Sequence, residues 1–89
     1  SDVLRDLQHR LAQSQERLQV ARSLLPPELA RELRSGVLDD KGWNLLVPSS
    51  AAAAKLRHWL PRIETALKQR GLEVSSIRVR VQSDTSPNV

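Results

Sequence analysis

Residues 43–81 constrain the fold more than any other part of the chain; they read WNLLVPSSAAAAKLRHWLPRIETALKQRGLEVSSIRVRV. A short apolar run, Trp43 to Val47, stops at Pro48. Some twenty residues at helical spacing follow, as far as Gly71. Ile77-Arg78-Val79-Arg80-Val81 then alternates apolar and basic side chains. Alternation with period two is the mark of a half-exposed strand, and apolar residues recurring every three to four positions mark a helix packed on one face. The stretch therefore predicts strand, helix, strand.

Within the strands, Trp43, Leu45 and Val47 fall on one face and Asn44 and Leu46 on the other. Ile77, Val79 and Val81 likewise oppose Arg78, Arg80 and Gln82. In the helix, Ala52, Leu56, Trp59, Leu60, Ile63, Ala66 and Leu67 fall in one sector and form the expected core face. Ser49 or Ser50 supplies the cap, because a hydroxyl accepts from a free first-turn amide. Four successive alanines combine the best helix propensity with no bulk, so the helix can lie close to the sheet. Pro61 removes one backbone bond and is expected to kink the helix or split it into 50–60 and 61–70. Gly71 is the expected stop.

The N-terminal third reads as a second amphipathic helix over 2–22. Leu4, Leu11, Leu18 and Leu25 recur every seven residues, with Leu7 and Ala21 between them, and Ser14 interrupts the stripe. Such a stripe packs on the protein's own sheet or forms a seam with a partner helix. Pro26-Pro27 ends it, since the residue before a proline is driven out of helical geometry. A short helix over 28–34 follows, closed by Gly36. Val37-Leu38, a turn at Asp39-Asp40-Lys41-Gly42, and Trp43 to Val47 then form a hairpin. The whole is an α+β domain of order α-(α)-β-β-α-β, a KH-like arrangement with a three-stranded sheet packed on one side by helices. Residues 1–82 form this single domain, and 83–89, without pattern, are expected to be a mobile tail.

Charge is unevenly placed. Residues 55–82 carry seven bases (Lys55, Arg57, Arg62, Lys68, Arg70, Arg78 and Arg80) against Glu64 and Glu73. The net of +5 there exceeds the +4 of all 89 residues. A concentrated excess of this kind points to a polyanion partner, and these seven are the candidate nucleic-acid contacts. Arg78 and Arg80 stand two apart on one strand face, about 6.5–7 Å from each other, close to the spacing of successive phosphates. Lys55 and Arg62 form a second row on a helix flank. All are expected to gather on one side of the domain. The only aromatic residues besides histidine are Trp43 and Trp59, too few for a base-stacking platform. Binding should therefore be backbone-directed, weak in sequence preference and salt-sensitive.

Other classes find little support. The chain has no Cys, and its two histidines, His9 and His58, are far apart, so neither a disulfide nor a metal site is expected. No phosphate-loop, dinucleotide or zinc-protease motif occurs. Asp39 and Asp40 sit in a turn, where Asp is common for conformational reasons. No enzyme activity, cofactor or small-molecule substrate is expected. No apolar run approaches the ~20 residues of a membrane span. With no secretory signal and no thiols, the expected location is the cytoplasm.

LLPPELA, a hairpin, then the block from Trp43 to Gly71 and finally VSSIRVRVQ, together Leu24 to Gln82, resemble the DciA family of small bacterial proteins that assist the replicative helicase. The resemblance implies a KH-like fold, DNA binding through basic surface residues, and contact with the hexameric helicase. The GxxG loop of RNA-binding KH domains is missing. The sequence thus predicts a non-enzymatic DNA-binding accessory protein of replication that helps load or operate the helicase. The alternatives are an RNA-binding KH-like module and a protein-interaction domain built on the first helix.

Overall fold

A computed structural model of the chain describes residues 2–82. The expected mobile tail, 83–89, lies outside the described residues. The order is α1 (Asp2–Leu24), α2 (Pro27–Glu32), β1 (Arg34–Asp39), β2 (Gly42–Val47), α3 (Ser50–Gln69) and β3 (Ile77–Val81). The strands form one sheet in the order β1-β2-β3. β1 and β2 are antiparallel, and β2 and β3 are parallel with α3 as the crossover. This is the α+β arrangement that the hydrophobic pattern implies.

The core lies between one sheet face and the helices. Trp43, Leu45 and Val47 on β2 are buried, as are Leu56, Ile63 and Leu67 on α3, Leu18 and Ala21 on α1, and Leu25, Leu29 and Leu33 around α2. Ala52 and Ala53 are buried while Ala51 and Ala54 are exposed, so two of the four methyl-sized residues set the close approach of α3. Ser49 Oγ accepts from the Ala52 amide at 3.1 Å. At the other end Gly71 adopts φ +72°, and Leu72 N–H donates to the Leu67 carbonyl at 2.8 Å. That left-handed turn satisfies carbonyls that a helix end would otherwise leave bare.

Ser14 explains its own intrusion into the leucine stripe. It is buried, and its hydroxyl accepts from Trp43 Nε1 at 3.1 Å and donates to the Gly36 carbonyl at 3.3 Å. Gly36 lies where the β1–β2 register shifts, between Ser35 and Leu38. One hydroxyl thus satisfies both the core indole and a carbonyl that the bulge takes out of the ladder.

Three expectations change. α3 is one continuous helix, not two: Pro61 is exposed, on the side away from the sheet, so the Arg57 carbonyl it strands can turn to water. α2 ends at Glu32, and Arg34 opens β1 rather than closing a helix. Leu33 is extended and buried, and its carbonyl accepts from Arg22 Nη2 at 2.7 Å. Third, α1 packs on the sheet only over its C-terminal half. Its 23 residues span about 34 Å, whereas six-residue β1 spans about 20 Å. The first three turns overhang, leaving Val3, Leu4, Leu7 and Leu11 exposed. Among the described residues no helix is long and apolar enough to cross a membrane.

Candidate nucleic-acid interface

Strand alternation and register decide which basic groups share a surface. Trp43, Leu45 and Val47 pair with Ile77, Val79 and Val81 and face the helices. Asn44 and Leu46 pair with Arg78 and Arg80 and face the other way, where none of the described helices packs. On the far side of β2, Arg34 pairs with Leu46. A row Arg34–Leu46–Arg80 therefore crosses the uncovered face. Strands about 4.8 Å apart put the two arginine backbones about 10 Å from each other, with Arg78 about 7 Å further along β3 from Arg80.

The floor between these cations is nearly flat. It consists of Gly36, Asn44 and Leu46, beside an open groove of about 360 Å³ that also touches Val37, Arg80, Val81 and Gln82. A methyl group on Gly36 would come within 3.1 Å of Asn44 Cβ and 3.3 Å of the Asn44 carbonyl. The missing side chain keeps the floor low. The Asn44 Oδ1 atom is buried in it without a hydrogen-bond partner. No aromatic ring lies on this face, which suits contact with a sugar-phosphate chain better than base stacking.

The seven bases singled out from the sequence do not all meet. Arg78 and Arg80 lie on the uncovered sheet face. Lys55, Arg57, Arg62 and Lys68 are exposed on α3, and Arg70 caps its C-terminus. α3 packs on the opposite, buried face of the sheet, so its basic side chains belong to the helical layer. The expectation of a single cationic side is corrected to two patches, because alternation turns the β3 arginines away from the helix that covers that strand. Lys68 and Arg70 stand at the negative end of the α3 dipole, a structural role in its own right.

None of the seven is held in an ion pair with an acid among the described residues; the recorded pair is Arg10–Asp6 at 3.3 Å on α1. Arg62 instead lies 4.9 Å from the centroid of the Trp59 ring. Trp59 is half-buried, packed on the core with part of its surface under that guanidinium, an arrangement worth about 0.5–1 kcal/mol at an exposed site.

Arg34 is the residue that sequence reasoning missed. Pro-Glu-Leu-Ala-Arg-Glu-Leu-Arg reads as helix throughout, which hid it. Pairing back from the Asp40-Lys41 turn extends β1 but sets Arg34 opposite Val47; the register shift between Ser35 and Leu38 moves it opposite Leu46 and onto the other face. The turn carboxylates have a conformational task, since Asp39 Oδ1 accepts from the Lys41 amide at 2.9 Å. Among the described residues no group of three or more His, Asp or Glu side chains is placed to hold a metal ion.

No protein-family model matches the chain, and no curated protein matches it in sequence.

Proposed function

We propose that this is a non-enzymatic DNA-binding accessory protein of bacterial DNA replication that helps load or operate the replicative helicase. The observation that carries the DNA reading is the grouping of Arg34, Arg78 and Arg80 on a sheet face that none of the described helices covers. Arg78 and Arg80 beside a low, ring-free floor offer planar, bidentate donors to phosphate oxygens at a spacing a nucleic-acid strand can match, and Arg34 adds positive charge across β2. The basic flanks of α3 supply a second contact for a longer strand. The helicase partner and the cytoplasmic setting rest on the resemblance of Leu24 to Gln82 to the DciA family. The protein would act by holding DNA and helicase together, raising one's effective concentration for the other without bond chemistry.

Fluorescence anisotropy with labelled single-stranded and duplex DNA, repeated over a series of salt concentrations, tests this reading. Replacing Arg78 and Arg80 together with Ala should weaken binding and flatten the log K–log salt slope by about 1.5–2. Adding Arg34→Ala should remove roughly one further unit at most. Unchanged affinity and slope in the triple variant would remove the sheet face from the proposal. Capture of a replicative helicase by the tagged protein from bacterial extract tests the partner; its absence under low salt counts against that half.

A further inference from the structure

The overhanging part of α1 is a second surface that DNA binding leaves unused. Val3, Leu7 and Leu11 are 80%, 53% and 57% exposed, and Leu4 in the same stripe is 55% exposed. They continue, toward the N-terminus, the stripe that Leu18, Ala21 and Leu25 bury in the core. We propose that this stripe is the contact through which two copies of the chain pair, helix against helix and antiparallel.

The orientation follows from the fold. On α1 the buried and exposed leucines share one side, so the sheet stands on the same side as the exposed stripe, just past its C-terminal end. A parallel partner helix would have to run on into the space the sheet occupies. An antiparallel one leads away from it and carries its own sheet to the far end. Two-fold symmetry then makes the contact self-complementary. In antiparallel packing the two seam positions of the heptad alternate, so Leu4 of one copy meets Leu7 of the other, twice, within the turns that clear the sheet. The residues beside the seam are Val3, Gln8 and Arg10. Arg10 is already neutralised by Asp6 at 3.3 Å, so little unpaired charge is desolvated.

The area supports a modest affinity. Scaled by side-chain areas of roughly 150–200 Å², the four residues expose about 450 Å² per chain, or about 900 Å² of apolar surface in a pair. With polar margins this approaches the lower end of specific interfaces, so the dimer should be weak and reversible.

Sedimentation equilibrium over two decades of protein concentration tests the pairing. A monomer–dimer equilibrium is expected, insensitive to added salt because the seam is apolar. Leu7→Glu with Leu11→Glu should raise Kd about 100-fold or more. Leu7→Ala with Leu11→Ala, which keeps helix propensity, should weaken the dimer less, and far-UV circular dichroism of both variants should match the parent. Orientation is read by mixing Leu4→Cys protein with Leu7→Cys protein under mild oxidation: disulfides between the two variants support the proposal. A monomer at every concentration, a dimer indifferent to both pairs of substitutions, or cross-linking of Leu7→Cys chains chiefly to each other would overturn it. DNA affinity measured alongside separates the two ideas. A monomer with salt-dependent DNA binding refutes only the pairing, and a dimer without it refutes only the DNA reading.

Discussion

Replacing Ser14 tests whether its hydroxyl, rather than a helical seam, determines that position. Ser14→Ala removes an oxygen that serves two buried groups, the Trp43 indole N–H at 3.1 Å and the Gly36 carbonyl at 3.3 Å. Trp43 is fully buried and Ser14 is 4% exposed, so water does not replace the lost partner without opening the core. A stranded buried donor costs about 1–3 kcal/mol, and the carbonyl adds a smaller loss. Better helix propensity returns a few tenths. The expected net is a destabilisation of about 2–3 kcal/mol, a large share of the roughly 4–13 kcal/mol usual for a chain of this length. Thermal unfolding followed by far-UV circular dichroism should show a fall in Tm of about 10–20 °C. Ser14→Leu discriminates further. It fills the gap between Leu7 and Ala21 in the apolar stripe, and a seam position would welcome it. Here it loses both hydrogen bonds and forces extra carbons into a filled site, so it should be worse than alanine. In a Trp43→Phe background, which removes the donor, Ser14→Ala should cost about 1–2 kcal/mol less than in the parent. A loss below about 0.5 kcal/mol for Ser14→Ala, or a stabilised Ser14→Leu protein, would refute the account.

Gly42→Ala should be among the most damaging single-methyl additions. Gly42 sits at φ +143°, and a Cβ there would collide with Ser76 Oγ and lie 2.7 Å from the Ser76 carbonyl; urea unfolding should show a loss of about 2 kcal/mol or more. Because Trp43 N–H donates to that same carbonyl at 2.8 Å, hydrogen exchange in β3 should rise with it. Pro61→Ala should act the other way. It restores an N–H within a continuous exposed helix turn, and even after the unfolded chain regains freedom the gain should be about 1–2 kcal/mol by urea titration; a loss there would mean that the ring packs on something essential.

The sheet was legible because Trp43, Leu45 and Val47 and the Ile77–Val81 alternation each encode a face directly. The caps at Ser49 and Gly71 were legible for the same reason: a local sequence with a local partner. What could not be read depends on pairs far apart in the chain. Helical spacing from Leu4 to Leu25 says which side of α1 is apolar, but not how long the sheet beneath it is, so the exposed half looked like the buried half. Arg34 was hidden because helix propensity in PELARELR is local, whereas its strand state is imposed by pairing with Leu46. The basic residues were read correctly as a charge excess, yet their division between two layers follows only from how α3 lies on β3.

The parallel pairing of β3 with β2 also sets a sequence of events. The β1–β2 hairpin closes over two residues and can form early, but β3 cannot dock until α3 has wound and crossed back over the sheet. Arg78 and Arg80 are thus displayed only once that late edge is in place, and a partly folded chain offers Arg34 alone. If phosphate contacts bridge β3 and β1 as proposed, a bound strand acts as a splint across the edge most prone to detach, and amide exchange in Ile77–Val81 should slow on DNA binding before it slows elsewhere.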